Sequence, residues 1–147
     1  ERKSLSKENT FYKDTLDRDF LLSELYYLME RCCEKLRAIS MKGRTITVKV
    51  KYFDFTVNQK SFTMRKYSNL ESDFYEDAVH LLDKMLLNKK KIRLIGIKFS
   101  DFITGDDSMQ ENIFQDKDRN ENLMKKIDQI RKKYDFDIVK FGRTFEL

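Results

Sequence analysis

The stretch Arg44-Thr45-Ile46-Thr47-Val48-Lys49-Val50-Lys51-Tyr52 decides the fold. Ile46, Val48, Val50 and Tyr52 fall on one side of an extended chain, and Thr45, Thr47, Lys49 and Lys51 on the other. Strict period-two alternation predicts a strand with one face packed and one face wet. The wet side offers ammonium groups and hydroxyls, the side chains that meet phosphate oxygens, and this strand adds no carboxylate. Such a face suits a polyanion, although lysine on a strand also discourages edge-to-edge aggregation.

Charge is segregated along the chain around that strand. Lys42, Arg44, Lys49, Lys51, Lys60, Arg65 and Lys66 stand against Asp54 alone, and Lys89, Lys90, Lys91, Arg93 and Lys98 follow without an acid. Between them, Glu71, Asp73, Glu76, Asp77 and Asp83 oppose only Lys84. A net charge of +5 therefore divides into a basic and an acidic side, and a field of that shape steers nucleic acid.

The chain of 147 residues is 40% hydrophobic, with twelve Phe and seven Tyr. That suffices for one domain with its own core and excludes a disordered tail. No apolar run is long enough to cross a bilayer and no signal-like segment opens the chain. The start at Glu1-Arg2-Lys3 without Met leads us to expect a fragment of a longer protein. Cys32 and Cys33 are adjacent, a spacing that suits neither zinc nor a redox pair, and they read as reduced thiols of a cytoplasmic protein. His80, the only histidine, has no partner for a metal site and reads as an ordinary helix residue.

Outward from the alternating strand, Ser4 to Phe11 is a weakly patterned first strand. Asp17 caps a helix whose stripe is Leu21, Leu25, Leu28, Met29, Cys32, Leu36 and Ile39, ended by Lys42-Gly43. A turn at Asp54 to Val57 leads to a strand from Gln59 to Arg65 with Phe62 and Met64 inward. Ser68 and Glu71 have capping-box spacing before a helix striped by Phe74, Ala78, Leu81, Leu82 and Met85. Lys91 to Phe102 closes the unit, with Ile95, Ile97 and Phe99 inward. The order β-α-β-β-α-β predicts an α+β sandwich in which two helices cover one face of a four-stranded antiparallel sheet and leave the other bare. The pattern itself reads as ferredoxin-like and leaves the strand order open.

Residues 1–103 form that domain, and 104–120 read as a polar linker. Residues 121–147 hold a tail helix, begun near Arg119, with Leu123, Ile127, Ile130 and Tyr134 on one stripe. Gln110-Glu111-Asn112-Ile113-Phe114 places two apolar side chains inside the polar linker, as docking peptides do.

In these residues the chain resembles the little finger domain of bacterial Y-family translesion DNA polymerases. The resemblance lies in Arg2 to Phe11, Asp17-Arg18-Asp19, Gly43 to Lys49, Tyr52 to Thr56 and Lys91 to Ser100, in order and at the right spacing. It implies a strand arrangement reversed from the ferredoxin one, and a bare sheet face lying along the major groove of primer-template DNA. It further implies DNA contacts from Lys7 and Thr10, from Lys60, Ser61 and Thr63, and from Arg93 and Lys98. Lys49 joins them from the alternation. Phe62 stands where the family often has arginine, and Lys60 falls on the side of Phe62, away from the wet face. Gln110, Ile113 and Phe114 resemble the peptide that binds the bacterial sliding clamp.

The resemblance implies catalysis with magnesium in a palm domain that this sequence lacks, so no cofactor and no activity are expected of this piece alone. Asp135-Phe136-Asp137, the nearest pair of carboxylates, reads as a loop at a helix end. Two other classes compete. One is an RNA-binding sheet, which would show aromatic residues on the open strands for stacking. The other is a protein-interaction domain acting through its acidic helices and tail.

Overall fold

In the computed structural model, which describes residues 4–104 together with 124, 125, 127 and 128, six elements follow one another. They are β1 (Ser4–Thr15), α1 (Arg18–Ala38), β2 (Met41–Tyr52), β3 (Val57–Ser68), α2 (Glu71–Met85) and β4 (Ile92–Thr104). The sheet order is β1-β4-β2-β3 with every neighbouring pair antiparallel. The second and fourth strands are thus central, as the resemblance implied and the alternation could not show. The linker and most of the tail, including Gln110, Ile113 and Phe114, lie outside the described residues.

The core forms between the central strands and the helices. Ile46, Val48 and Val50 of β2 sit level with Phe99, Ile97 and Ile95 of β4, and all six are buried. They meet Leu21, Leu25, Met29, Cys32, Cys33 and Leu36 of α1 and Phe74, Ala78, Leu82 and Met85 of α2 in one cluster. Burying each such side chain contributes about 1.5–3 kcal/mol. Phe74 and Phe99 pack edge to face at 4.9 Å, which fixes α2 on β4. Tyr52 ends the column by donating its hydroxyl proton to the Met85 carbonyl at 2.8 Å, so the end of β2 is tied to the end of α2.

Asp17 caps α1 as expected, accepting from the Phe20 amide. Three boundary expectations are corrected. Helix α1 stops at Ala38 because Ser40 turns to a positive φ of 55°, so β2 begins at Met41 and Lys42-Gly43 belong to the strand. Ile39, past that stop, is 41% exposed and leaves the buried stripe. Ser68 and Glu71 form no capping box. The Ser68 hydroxyl accepts from the Leu70 amide and donates to Asp73, while Leu70 is the N-cap and caps with no side chain.

Glu71 goes elsewhere because a cation is buried beside it. Arg37 of α1 has a side chain only 1% exposed and directs its guanidinium at Glu71 (3.0 and 3.3 Å), the Asn69 carbonyl (2.7 Å) and Asp128 (2.6 and 2.9 Å). Burial works to lower the Arg37 pKa, and the bonds to Asp128 and Glu71 outweigh it, so the group stays charged. Burial pushes the Glu71 carboxyl upward against the attraction of Arg37. Asp128, in a helical piece of the tail, thus reaches a helix 91 residues earlier in the chain. Stripping one acceptor from a buried, fully bonded guanidinium is expensive. We therefore expect Asp128→Ala to lower stability by about 2–3 kcal/mol in chemical denaturation, while Lys125→Ala at an exposed neighbour has no effect. Equal stability of Asp128→Ala and the unaltered chain would contradict the buried bond.

Candidate nucleic-acid interface

Strand pairing makes the uncovered face a grid. Four rungs cross it from β1 to β3: Ser4–Ser100–Thr45–Thr63, Ser6–Lys98–Thr47–Ser61, Glu8–Gly96–Lys49–Gln59 and Thr10–Leu94–Lys51–Val57. Hydroxyls fill the first rung and flank Lys98 in the second, and Lys49 and Lys51 bring one ammonium group each to the third and fourth. Thr45 and Thr63 hydroxyls share a hydrogen bond at 3.0 Å, and Thr47 and Ser61 one at 2.7 Å. These pairs hold short polar side chains upright across β2 and β3. None of these four rungs carries an aromatic ring.

The intervening rungs face the helices: Leu5–Phe99–Ile46–Phe62, Lys7–Ile97–Val48–Lys60 and Asn9–Ile95–Val50–Asn58. Their centres are core and Leu5 on β1 is buried with them, but the other ends on β1 and β3 are exposed or half-buried. Lys7 and Lys60 accordingly sit exposed on the helix side, and Phe62 is 43% exposed although it points inward by register. Asn9 confirms the direction of β1, donating to Glu24 of α1 at 2.9 Å. Of the residues expected to touch DNA, the structure brings Thr10, Lys49, Ser61, Thr63 and Lys98 together on the open face. It places Lys7 and Lys60 on the other side, with no bulge in β3 near Lys60 to turn it.

Arg93 stands apart from both sets. Lys51 pairs with Leu94 while Tyr52 pairs with Ile92, so Arg93 is the extra residue of a bulge in β4. Its guanidinium lies 4.5 Å from the centre of the Phe55 ring and 3.8 Å from Asp14. Phe55 is held at the β2–β3 turn with φ 69°. Asp54 beside it accepts from the Thr56 amide and hydroxyl and pairs with Lys90 at 2.7 Å. Lys90 and Thr56 hold the Asp54 carboxyl down at about 2. The turn is therefore rigid and its charges are spent locally.

One charged residue of the open face escaped the reading of β2 alone. Glu8 projects from β1 onto the open face and its carboxylate approaches the Lys49 ammonium at 3.3 Å, across Gly96. A period-two signal could have found it. Leu5 and Phe11 are both buried and an even number of residues apart, which places Lys7 and Asn9 with them and Glu8 opposite.

Cys32 and Cys33 are free and buried, and burial pushes Cys32 up to about 12 and Cys33 well upward, so neither is a nucleophile near neutral pH. His80 is an exposed residue of α2. Among the described residues there is no group of three or more His, Cys, Asp or Glu side chains that could hold a metal ion.

The register makes a sharp prediction. Val48→Asp puts an unpaired charge among Ile46, Ile97 and the helices and should abolish folding, whereas Lys98→Glu, one rung away on the wet side, should leave the circular dichroism spectrum unchanged. A folded Val48→Asp would shift the inside-outside assignment by one residue.

Known proteins carry the same unit. Residues 2–113 match the model of the impB/mucB/samB family C-terminal domain. The whole chain aligns at 32% identity with 37% of DNA polymerase IV of Dehalococcoides mccartyi (strain CBDB1). Two thirds of it (66%) aligns at 35% identity with 27% of DNA polymerase IV of Listeria monocytogenes serotype 4b. It thus spans about a third of the length of these curated relatives. In fold, it is similar to the insertion ternary complex of Dbh DNA polymerase, with a TM-score of 0.62 at 20% identity, covering 69% of this chain and 29% of that one. It is also similar to the little finger domain of PolIV in a complex with the beta-clamp processivity factor, with a TM-score of 0.54 at 18% identity, covering 66% and 86%. With its family match, its strand order and its alignment to DNA polymerase IV from end to end, the chain belongs to the impB/mucB/samB C-terminal domain family, the little finger domains of Y-family DNA polymerases.

Proposed function

We propose that this domain holds the backbone of primer-template DNA against its open sheet face, in the major groove, for a polymerase that synthesises across lesions. The observation that carries the reading is the grid itself: lysines and hydroxyls at regular spacing, without an aromatic ring to stack on a base and without a pair of side chains set to read one. Lys98, Lys49 and Lys51 supply charge to phosphate, while Thr10, Ser61 and Thr63 supply hydroxyl donors. Arg93 contributes from the edge at the bulge. Lys7 and Lys60 take part only where the duplex wraps past the sheet edges. The absence of rings from the rungs disfavours RNA stacking, and the Dbh relative is named as a ternary complex of a DNA polymerase. Nucleotidyl transfer and its magnesium belong to the rest of the longer protein.

Binding should be weak, non-specific and steeply salt-dependent. If about four phosphates are neutralised, log affinity falls against log salt with a slope near −3 to −4. Lys98→Glu should weaken binding to every duplex sequence alike without unfolding the domain. A flat salt response, or preference for one short sequence, contradicts the phosphate-holding reading.

The second part of the proposal tethers the polymerase to the bacterial sliding clamp through Gln110, Ile113 and Phe114. It rests on the peptide's sequence and on a PolIV little finger relative that is named in complex with the clamp. Ile113 and Phe114 would fill an apolar pocket, contributing about 1.5–3 kcal/mol each before ordering costs. Replacing both with Ala should abolish clamp binding in a pull-down or calorimetric titration and leave the melting temperature unchanged. A lowered melting temperature with no clamp binding in the unaltered chain would make the segment structural.

A further inference from the structure

Three ammonium groups on the four open rungs face a single carboxylate, Glu8, which reaches from the edge strand β1 toward Lys49 on the central strand β2. Its placement depends on Gly96. A Cβ at position 96 would come within 3.0 Å of the Glu8 Cβ and 3.6 Å of its Oε2. Any other residue there would stand as a wall between β1 and β2. With glycine, the Glu8 carboxylate lies over the β4 backbone toward Lys49, 3.3 Å from its ammonium. Together they line a trough of about 200 Å³, with Ser6, Thr47, Gln59 and Lys98 among its other lining residues. The third rung is therefore electrically neutral, while Lys98 above it and Lys51 below it are not.

We infer that Glu8 is a built-in brake on DNA binding: it neutralises Lys49 in the free domain and repels the phosphate that would otherwise seat over Gly96. This deepens the DNA-holding reading and rests on it. The ion pair is exposed on both sides (side chains 52% and 36%) and is weak in itself. Its effect is on the incoming polyanion. Each phosphate over the trough meets a carboxylate held in place by the β1–β4 register, and Lys49 exchanges one anion for another with little gain. A clamp of DNA that must let the duplex advance after every step is served by a grip with a neutral centre and charged flanks.

The test is a comparison of the 147-residue chain, Glu8→Gln, Lys49→Gln and the double variant, with fluorescence anisotropy on one labelled primer-template duplex across about 50 to 200 mM salt. Glu8→Gln keeps size and hydrogen bonding at an exposed site, so folding is preserved. It should tighten binding about threefold to fivefold and steepen the salt slope by about 0.9, one further phosphate neutralised. Lys49→Gln should cost more affinity in the Glu8→Gln background than in the unaltered chain. Glu8→Gln affinity equal to or below that of the unaltered chain, or equal losses from Lys49→Gln in both backgrounds, overturns the assignment of Glu8 alone. If the unaltered chain shows no salt-dependent binding and Lys98→Glu changes nothing, the DNA-holding reading fails and takes the Glu8 inference with it.

Discussion

Everything in this domain depends on the pairing of β2 with β4. That pairing sets Ile46, Val48 and Val50 beside Phe99, Ile97 and Ile95 on one side, and Thr45, Thr47 and Lys49 beside Ser100, Lys98 and Gly96 on the other. One constraint, the two-residue repeat of an extended chain, thus produces the core and the functional face at once. The apolar side recruits both helices, and the helices then fix the polar side as the exposed one. A slip by a single residue would destroy both, which couples stability of the fold to correctness of the interface.

The helices cover the two central strands fully and the edge strands only in part, at Leu5, Phe11 and Met64. This explains why the inner rungs end in Lys7, Asn9, Asn58, Lys60 and a half-exposed Phe62, none of which the core demands. Between α1 and the start of α2, the Arg37 guanidinium gathers Glu71, the Asn69 carbonyl and Asp128. A charge sealed at 1% exposure needs all of these partners, so the segment that carries Asp128 is part of the domain's wall. The two ends of the intervening chain, at Thr104 and near Asp128, are both anchored to the same domain.

Much of this was legible in the sequence where the information is local. Alternation found β2, the stripes of Leu21 to Leu36 and Phe74 to Met85 found the helices, and Asp17 announced its cap. What was not legible is what depends on distant partners. The pattern did not order the strands; that came from resemblance to a family. Glu71 has the spacing of a capping box, but a buried guanidinium from another helix takes its carboxylate, and the buried Ser68 hydroxyl bonds to Asp73 instead. Lys7 matched a family position, yet register puts it beside Ile97, facing the helices, whereas Lys60 lies beside Val48 on the side where the alternation had placed it. Glu8 was overlooked because an acid-free β2 suggested an acid-free face, and only the β1–β4 register brings a carboxylate within 3.3 Å of Lys49. Edge strands carry weak hydrophobic patterns, so their side chains are the ones a single sequence places least well.

The claim that the polar side of the β2–β4 pair is the DNA-holding surface is tested most directly by a heteronuclear NMR titration of the chain with primer-template duplex. The account predicts that shift changes map to the open rungs, led by Thr47, Lys49, Ser61 and Lys98, and that the amides of α1 and α2 stay in place. Changes concentrated on the outer faces of the helices, with the rungs silent, would contradict it.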